Sequence, residues 1–357
     1  MISKLWSPFV FDSGGKAMWV ATSSAIVSAT CFPLPSRRKL FLCKAESVNL
    51  HDPRRKVVVV GAGWAGLASA HHLCKQGFDV AIIEGGSCPD EEVSLRGFWS
   101  PYHNIFCLVE ELGIQPFSKL TTCTLHTSEG MEVEFPIFRD QPRLPAPLGA
   151  LVYPQFPHLS LVDRLTSVPL IAAVIDFDGT DAAWRKYDAM SARELFKQFG
   201  CSERLYREVF QPFIEVGLLA PAERSSAAAF LALLYYHALS HQQNFDVVLC
   251  RGPVREKILN PWLEVMKSKG CTFHGNKKVT DFIVNESSGC ITGVLCGQDV
   301  YEANAVVHAA SISTLQFTVK SSSVLQSRQE FLNCLNLAMV DVVHIKIWLN
   351  RKVHTST

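Results

Sequence analysis

Apolar and polar positions along this chain follow two rhythms, one of strands and one of helices. The first clear strand is a β-branched run, Val57-Val58-Val59-Val60, which passes straight into Gly61-Ala62-Gly63-Trp64-Ala65-Gly66. A helical spacing of apolar residues continues to about Lys75, and Gly77 suits its C-terminal cap. Asp79-Val80-Ala81-Ile82-Ile83 then reads as a second buried strand and ends on Glu84. A Gly-x-Gly-x-x-Gly turn between strand and helix, with an acid about 20 residues on, is the arrangement that receives a dinucleotide. Gly61 permits the tight turn, Gly63 lets the backbone approach a pyrophosphate, and Gly66 lets the helix sit close to the sheet. The amides of Ala62, Trp64 and Ala65 complete the helix start, whose dipole favours an anion. Glu84 is placed to accept hydrogen bonds from a ribose.

Further along, the spacing predicts a helix over 105–112 ended by Gly113, preceded by the aromatic stretch Gly97-Phe98-Trp99-Ser100-Pro101-Tyr102-His103-Asn104. That stretch reads either as a lining near the cofactor or as a plain hydrophobic staple. Residues 135–170 are rich in proline and weakly periodic, an irregular excursion out of the first unit. Ser191 and Glu194 form a capping box for the next helix. A helix over 203–213 is expected to break near Pro212. The stretch 225–239 is apolar on every side, so it is a core helix or the wall of a tunnel for an apolar substrate. A helix over 254–267, kinked at Pro261 and closed by Gly270, leads back to strands at 271–274 and 278–284. A hairpin over 289–303 and a buried strand at 305–310 follow, and 339–349 alternates like the start of another sheet.

Composition narrows the picture. The chain has 357 residues, 48% of them hydrophobic and 19% charged, with mean hydropathy +0.14, enough for about two domains. A net charge of +1 and no basic run interleaved with aromatics argue against nucleic acid. No apolar run is long enough to span a bilayer. Twelve cysteines fall in no Cys-x-x-Cys pair and read as free thiols of a reducing compartment, and no clustered metal ligands appear. His71 and His72 read as packing and surface residues. Residues 1–48 are basic, hydroxyl-rich and poor in acids, which predicts an organelle transit peptide without fold, addressed to a plastid first and a mitochondrion second.

With these motifs in order, the chain resembles the plant and bacterial carotenoid-desaturase-like branch of the FAD-dependent amine oxidase superfamily, over roughly 57–320. The resemblance rests on the glycine turn with Glu84, on 97–104, on the segment from Ser191 through Pro221-Ala222-Glu223-Arg224-Ser225, and on Gly252-Pro253 with the helix and hairpin after it. It implies an α/β fold, a Rossmann-like FAD-binding domain with an inserted, largely helical substrate domain. The implied layout is a transit peptide at 1–48, FAD-binding parts at 53–135 and 251–320, a substrate or cap domain at 136–250, and the start of a second substrate sheet at 321–357. It also implies FAD held by Gly61, Ala62, Gly63, Trp64, Ala65, Gly66 and Glu84, with Val279 bracketing the adenine through its backbone. The implied chemistry passes a hydride equivalent from a small apolar or amine substrate to flavin.

The chain departs from that pattern in three places. Gly85-Gly86 follow Glu84 with no basic residue after them, no arginine stands in the apolar helix with Tyr235 and Tyr236, and the family's C-terminal Gly-Asp segment is missing. The last departure reads as truncation and motivates an alternative, a non-catalytic isoform. A nicotinamide dehydrogenase is a third reading of the glycine turn. Tyr235, Tyr236 and His237 line a pocket on one reading and pack a core on the other, so no catalytic residue is named. Peripheral attachment to a plastid membrane and oligomerisation both stay open.

Overall fold

The computed structural model describes residues 10–12, 55–89, 97–120, 123–127, 130–135, 159–236 and 247–339. The proline-rich excursion between 136 and 158, His237 to Leu239 and the alternating stretch beyond Met339 therefore lie outside the described residues. So do residues 1–48, except for Val10–Asp12.

The first strands in chain order are β1 (Val10–Asp12) and β2 (Lys56–Val60); helix α1 (Trp64–Lys75) and β3 (Asp79–Ile83) follow. The strand-turn-helix-strand unit forms where the sequence places it. β2 and β3 pair in parallel, Val57 opposite Val80 and Val60 opposite Ile83. Their apolar runs are continuous because both faces are covered. Side chains alternate across the pleat, so Val57, Val59, Val80 and Ile82 enter one core while Val58, Val60, Ala81 and Ile83 enter another. Each buried valine or isoleucine among them contributes about 1.5–3 kcal/mol.

Next come β4 (Gly97–Trp99), α2 (His103–Leu112, capped by Gly113 at φ 65°), β5 (Cys123–Thr127) and β6 (Gly130–Phe135). The helical insert contains α3 (Leu161–Leu165), α4 (Leu170–Asp176), α5 (Asp181–Asp188) and α6 (Ala192–Gln198). It continues through Glu203–Leu205, a π-helical turn at Tyr206–Phe210, α7 (Gln211–Leu218) and α8 (Ala227–Leu234). The capping box at Ser191 and Glu194 forms as expected. The break at Pro212 does not: the helix runs on to Leu218, with Pro212 in the first turn of α7 directly after the π turn. A proline has no N–H to give to the carbonyl four residues back, and the widened turn removes that demand. The same device recurs at Pro261, where the π turn Arg255–Leu259 precedes α9 (Asn260–Ser268).

The chain returns through β7 (Val247–Leu249), which pairs antiparallel with β4, and β8 (Thr272–His274), which pairs parallel with β3. The strands β9 (Asp281–Val284), β10 (Ile291–Cys296) and β11 (Asp299–Glu302) form an antiparallel sheet of their own. β12 (Ala305–His308) then pairs parallel with β2, and α10 (Ile312–Ser321) follows. The main sheet thus has the order β1-β12-β2-β3-β8. Two further points differ from the sequence reading. Val10–Asp12, given no element there, adds an antiparallel edge strand to β12, Val10 opposite Val307. The strand expected over 278–284 begins only at Asp281, leaving Val279 in the connection.

Three cores result. One lies between the main sheet and α1 with α9, one between that sheet and β9–β11 with α10, and the third is internal to the helical insert. The apolar helix α8 belongs to the third, with Ala227, Ala228, Phe230, Leu231 and Ala232 all buried. Among the described residues no helix is long and apolar enough to cross a membrane.

Candidate functional site

The turn after β2 is built by contacts only glycine tolerates. Gly61 has φ +102°, and its N–H donates to the Ile83 carbonyl at 2.8 Å. A Cβ on Gly61 would stand 2.8 Å from the Ala309 carbonyl oxygen just beyond β12. A Cβ on Gly66 would lie 1.9 Å from the carbonyl oxygen of Gly61, so the helix starts in direct contact with the turn that precedes it. Gly63 is the N-cap residue in ordinary extended backbone, φ −73° and ψ −174°. No side chain caps α1, its first turn holds no acid, and its first intrahelical bond runs from Leu67 N–H to the Gly63 carbonyl. The amides of Trp64, Ala65 and Gly66 precede that bond and have no carbonyl of the helix to serve.

Glu84 stands at the carboxyl end of β3, in the crevice that such sheets use for ligands. Its Oε2 accepts from the Ala62 N–H at 2.6 Å, and Oε1 accepts from the Gly86 N–H at 2.9 Å. A carboxylate has about four lone-pair sites, so acceptor capacity for hydroxyls remains. The backbone around it is locked to the strand next door. Glu84 N–H donates to His274 O, Lys277 N–H donates to Glu84 O, and Asn276 N–H donates to Gly86 O at 2.7 Å. Gly85-Gly86 therefore close the loop around the acid instead of supplying a basic contact. Val279 follows in the same connection. Its side chain is buried in the second core, and the next N–H, of Thr280, donates to Leu295 O.

The aromatic stretch joins this site. Trp64, the first residue of α1, packs edge-on against Phe98 of β4 at 6.0 Å between centroids and against Trp262 of α9 at 6.2 Å. Phe98 in turn meets Phe117 at 5.1 Å. A wall of rings thus flanks the helix start, with Phe98 and Trp262 buried in the first core. Tyr236 is buried, and its hydroxyl donates to the Pro101 carbonyl at 3.4 Å.

Sequence reasoning missed what holds the far end of α1. Trp262 Nε1–H donates to His71 Nδ1 at 3.1 Å, and the opposite nitrogen, Nε2, meets Glu111 Oε1 at 3.1 Å. An indole N–H can only donate, so Nδ1 is the acceptor and the ring proton sits on Nε2, shared with Glu111. Burial, the largest influence, lowers the His71 pKa and favours that neutral form. Lys75 Nζ closes the group on Glu111 at 2.9 Å. His71 is thus a packing residue with a specific hydrogen-bonding role, while His72 is exposed and contacts Gln76. The partners are 191 and 40 residues away from His71 in sequence, and no local pattern marks them.

The structure thus brings Gly61, Ala62, Gly63, Trp64, Ala65, Gly66 and Glu84 to one place and sets Val279 in the connection leading from it. The uncapped helix start, the two positions where a Cβ would strike backbone, and the anchored acid fit the pyrophosphate and ribose of a dinucleotide. Among the described residues no group of three or more metal-ligating side chains occurs.

Comparison with known proteins agrees. The pattern described as NAD(P)-binding Rossmann-like domain matches residues 59–112. A probable zeta-carotene desaturase from Synechococcus elongatus is 26% identical over 318 residues, 82% of this chain and 65% of that protein. The 15-cis-phytoene desaturase, chloroplastic/chromoplastic, of Arabidopsis thaliana is 24% identical over 321 residues, 84% of this chain and 55% of that protein. An oxidoreductase structure from Methanosarcina mazei superposes with a TM-score of 0.51 at 16% identity, covering 79% of this chain and 65% of the other, a likeness of fold alone. Fold and site define a Rossmann-type dinucleotide-binding protein. Within that class the chain is carotenoid-desaturase-like. It spans about half to two thirds of the length of these curated relatives.

Proposed function

We propose that this chain is an FAD-dependent oxidoreductase of the carotenoid-desaturase kind, passing a hydride equivalent from a small apolar or amine-bearing substrate to flavin. The observation that carries the reading is Glu84, anchored on the Ala62 amide beside the uncapped start of α1. In this reading the amides of Trp64, Ala65 and Gly66 receive the pyrophosphate, and Glu84 accepts from the adenosine ribose. Val279 faces the adenine with its backbone, and the ring wall of Trp64 and Phe98 keeps water from the helix start. Bound FAD would supply the two-electron acceptor that no side chain here provides. The chain's own residues bind and orient.

The test is an absorbance scan of the purified chain from about Val48, mixed with FAD and desalted. Flavin bands should survive, and Glu84→Ala should weaken retention about 10- to 100-fold, the scale of losing hydrogen bonds to a charged acceptor. A colourless chain that retains NADH instead would sink the flavin assignment. Oxidation assays should then offer apolar polyenes and amines. The names of the plant relatives, chloroplastic/chromoplastic, together with the basic, hydroxyl-rich stretch 1–48, support a plastid address. A fluorescent fusion of 1–48 that stays outside plastids would overturn it.

A further inference from the structure

β12 is paired on both sides, and its two neighbours differ in kind. On one side lies β2, parallel to it over Ala305–His308. On the other lies β1, three residues from the stretch whose sequence reads as a transit peptide without fold. The register sets the direction of β1. Val10 stands opposite Val307 and Asp12 opposite Ala305, so β1 runs against β12 and the chain enters it from the carboxyl end of the main sheet. That is the end with the dinucleotide site. Ala309, the residue after β12, carries the carbonyl oxygen that a Cβ on Gly61 would meet at 2.8 Å.

The sheet order then places β1 relative to a dinucleotide. Glu84 follows β3 and the uncapped start of α1 follows β2. A ribose on the first and a pyrophosphate on the second set the ligand's direction across the strand ends. Continued, that direction passes β12 and comes to β1, in the order β3-β2-β12-β1. The adenosine half belongs to the first two strands. The other half is directed at the strand ends where the chain enters β1.

We propose that Val10–Asp12 is a removable cap on the edge of β12, which excludes the flavin half of the cofactor while it is seated and leaves the adenosine half free to bind. The inference rests on the FAD assignment proposed above. With β1 seated the chain takes up FAD weakly, and uptake strengthens once β1 leaves the sheet. A three-residue strand forms few ladder hydrogen bonds, each of small net strength, so its release is within reach of a bound ligand or of cleavage ahead of β2. While seated, it pairs the outward N–H and C=O groups of β12, which an open edge would offer to other chains. A ligand that binds only the uncapped chains shows an affinity reduced to their fraction of the population.

The test compares the native full chain with the same full chain carrying Val10→Pro and Phe11→Pro. Successive residues of an antiparallel strand aim their N–H groups to opposite sides, so the two prolines together remove the one aimed at β12. FAD and ADP are titrated separately by calorimetry. FAD should bind the double variant about 10-fold more tightly, the scale of one or two net backbone hydrogen bonds, and ADP should bind both forms alike. Equal ADP binding also shows that the prolines leave the site folded. Hydrogen exchange gives a readout without any nucleotide: one amide in the peptide covering Ala305–His308 should exchange several-fold faster in the double variant. Unchanged exchange there would overturn the proposal, because β1 would then not cap the edge. So would FAD and ADP affinities that shift by the same factor, or that do not shift at all. If ADP binds both forms and FAD binds neither, the cofactor assignment itself falls, and this inference with it.

Discussion

At the scale of single residues, His308 is a costly side chain to bury. It ends β12 fully buried, on the face of the sheet that carries Val306 into the second core, with the Phe282 ring 6.4 Å away between centroids. Neither ring nitrogen finds a hydrogen-bond partner in another residue. A buried unsatisfied donor costs about 1–3 kcal/mol, and a buried charge costs more. Burial accordingly pushes its pKa down to about 4. The consequence for stability has a definite sign. Above pH 6.5 neither folded nor unfolded imidazole is protonated. Between about 6.5 and about 4 the unfolded chain binds a proton that the folded chain refuses, so stability falls as pH falls. The loss approaches about 3 kcal/mol near pH 4, at 1.36 kcal/mol per pH unit. His308→Leu should therefore raise the urea midpoint at pH 7 modestly and at pH 5 more. Equal gains at the two pH values would show that the imidazole is not the titrating group.

At the scale of elements, legibility followed locality. The turn from Val57 to Glu84 could be read because its glycines, β-branched run and acid lie within about 30 positions and each carries a local signal. The capping box at Ser191 was readable for the same reason. The π turns before Pro212 and Pro261 were not, since a proline states that an N–H is missing without saying how the backbone will absorb the loss. The pair His71 with Trp262 was invisible because it joins α1 to the returning second half of the domain. The short strand at Val10–Asp12 was unread because it depends on an edge that β12 supplies about 300 residues later. The cap itself offers a clean measurement. Ser191 Oγ accepts from Glu194 N–H at 3.2 Å, and Glu194 Oε2 accepts from Ser191 N–H at 2.8 Å. The same residue bridges Ser226, the cap of α8, whose Oγ accepts from Ala229 N–H. Ser191→Ala should cost about 1 kcal/mol. Because the two caps touch, Ser191→Ala with Ser226→Ala should depart from the sum of the single losses. Strict additivity in urea unfolding would show that the two helix starts act independently.

At the scale of the whole molecule, the separation of the third core decides how the protein comes apart. Its buried residues, among them Phe177, Leu195, Phe196, Ile214 and Phe230, belong to neither of the cores flanking the main sheet. Phe196 is its centre, stacked on Phe210 at 4.7 Å and set against Phe230 at 4.9 Å and Tyr206 at 5.4 Å between centroids. Arg193 covers the outer edge, its guanidinium 3.9 Å from the Tyr206 ring centroid and paired with Glu203. A unit with its own core and its own polar rim opens as a cooperative unit of its own. Calorimetry of the full chain should therefore resolve two transitions. Phe196→Ala, which removes a fully buried ring from three aromatic contacts, should cost about 3–5 kcal/mol and move only the transition of the insert. Flavin retention at a temperature below both transitions should hardly change, because the glycine turn, Glu84 and Trp64 rest on the other cores. A single transition shifted as a whole would mean that insert and nucleotide domain unfold together. Loss of flavin alongside loss of the insert's transition would show that the cofactor reading depends on the helical insert as well as on the turn.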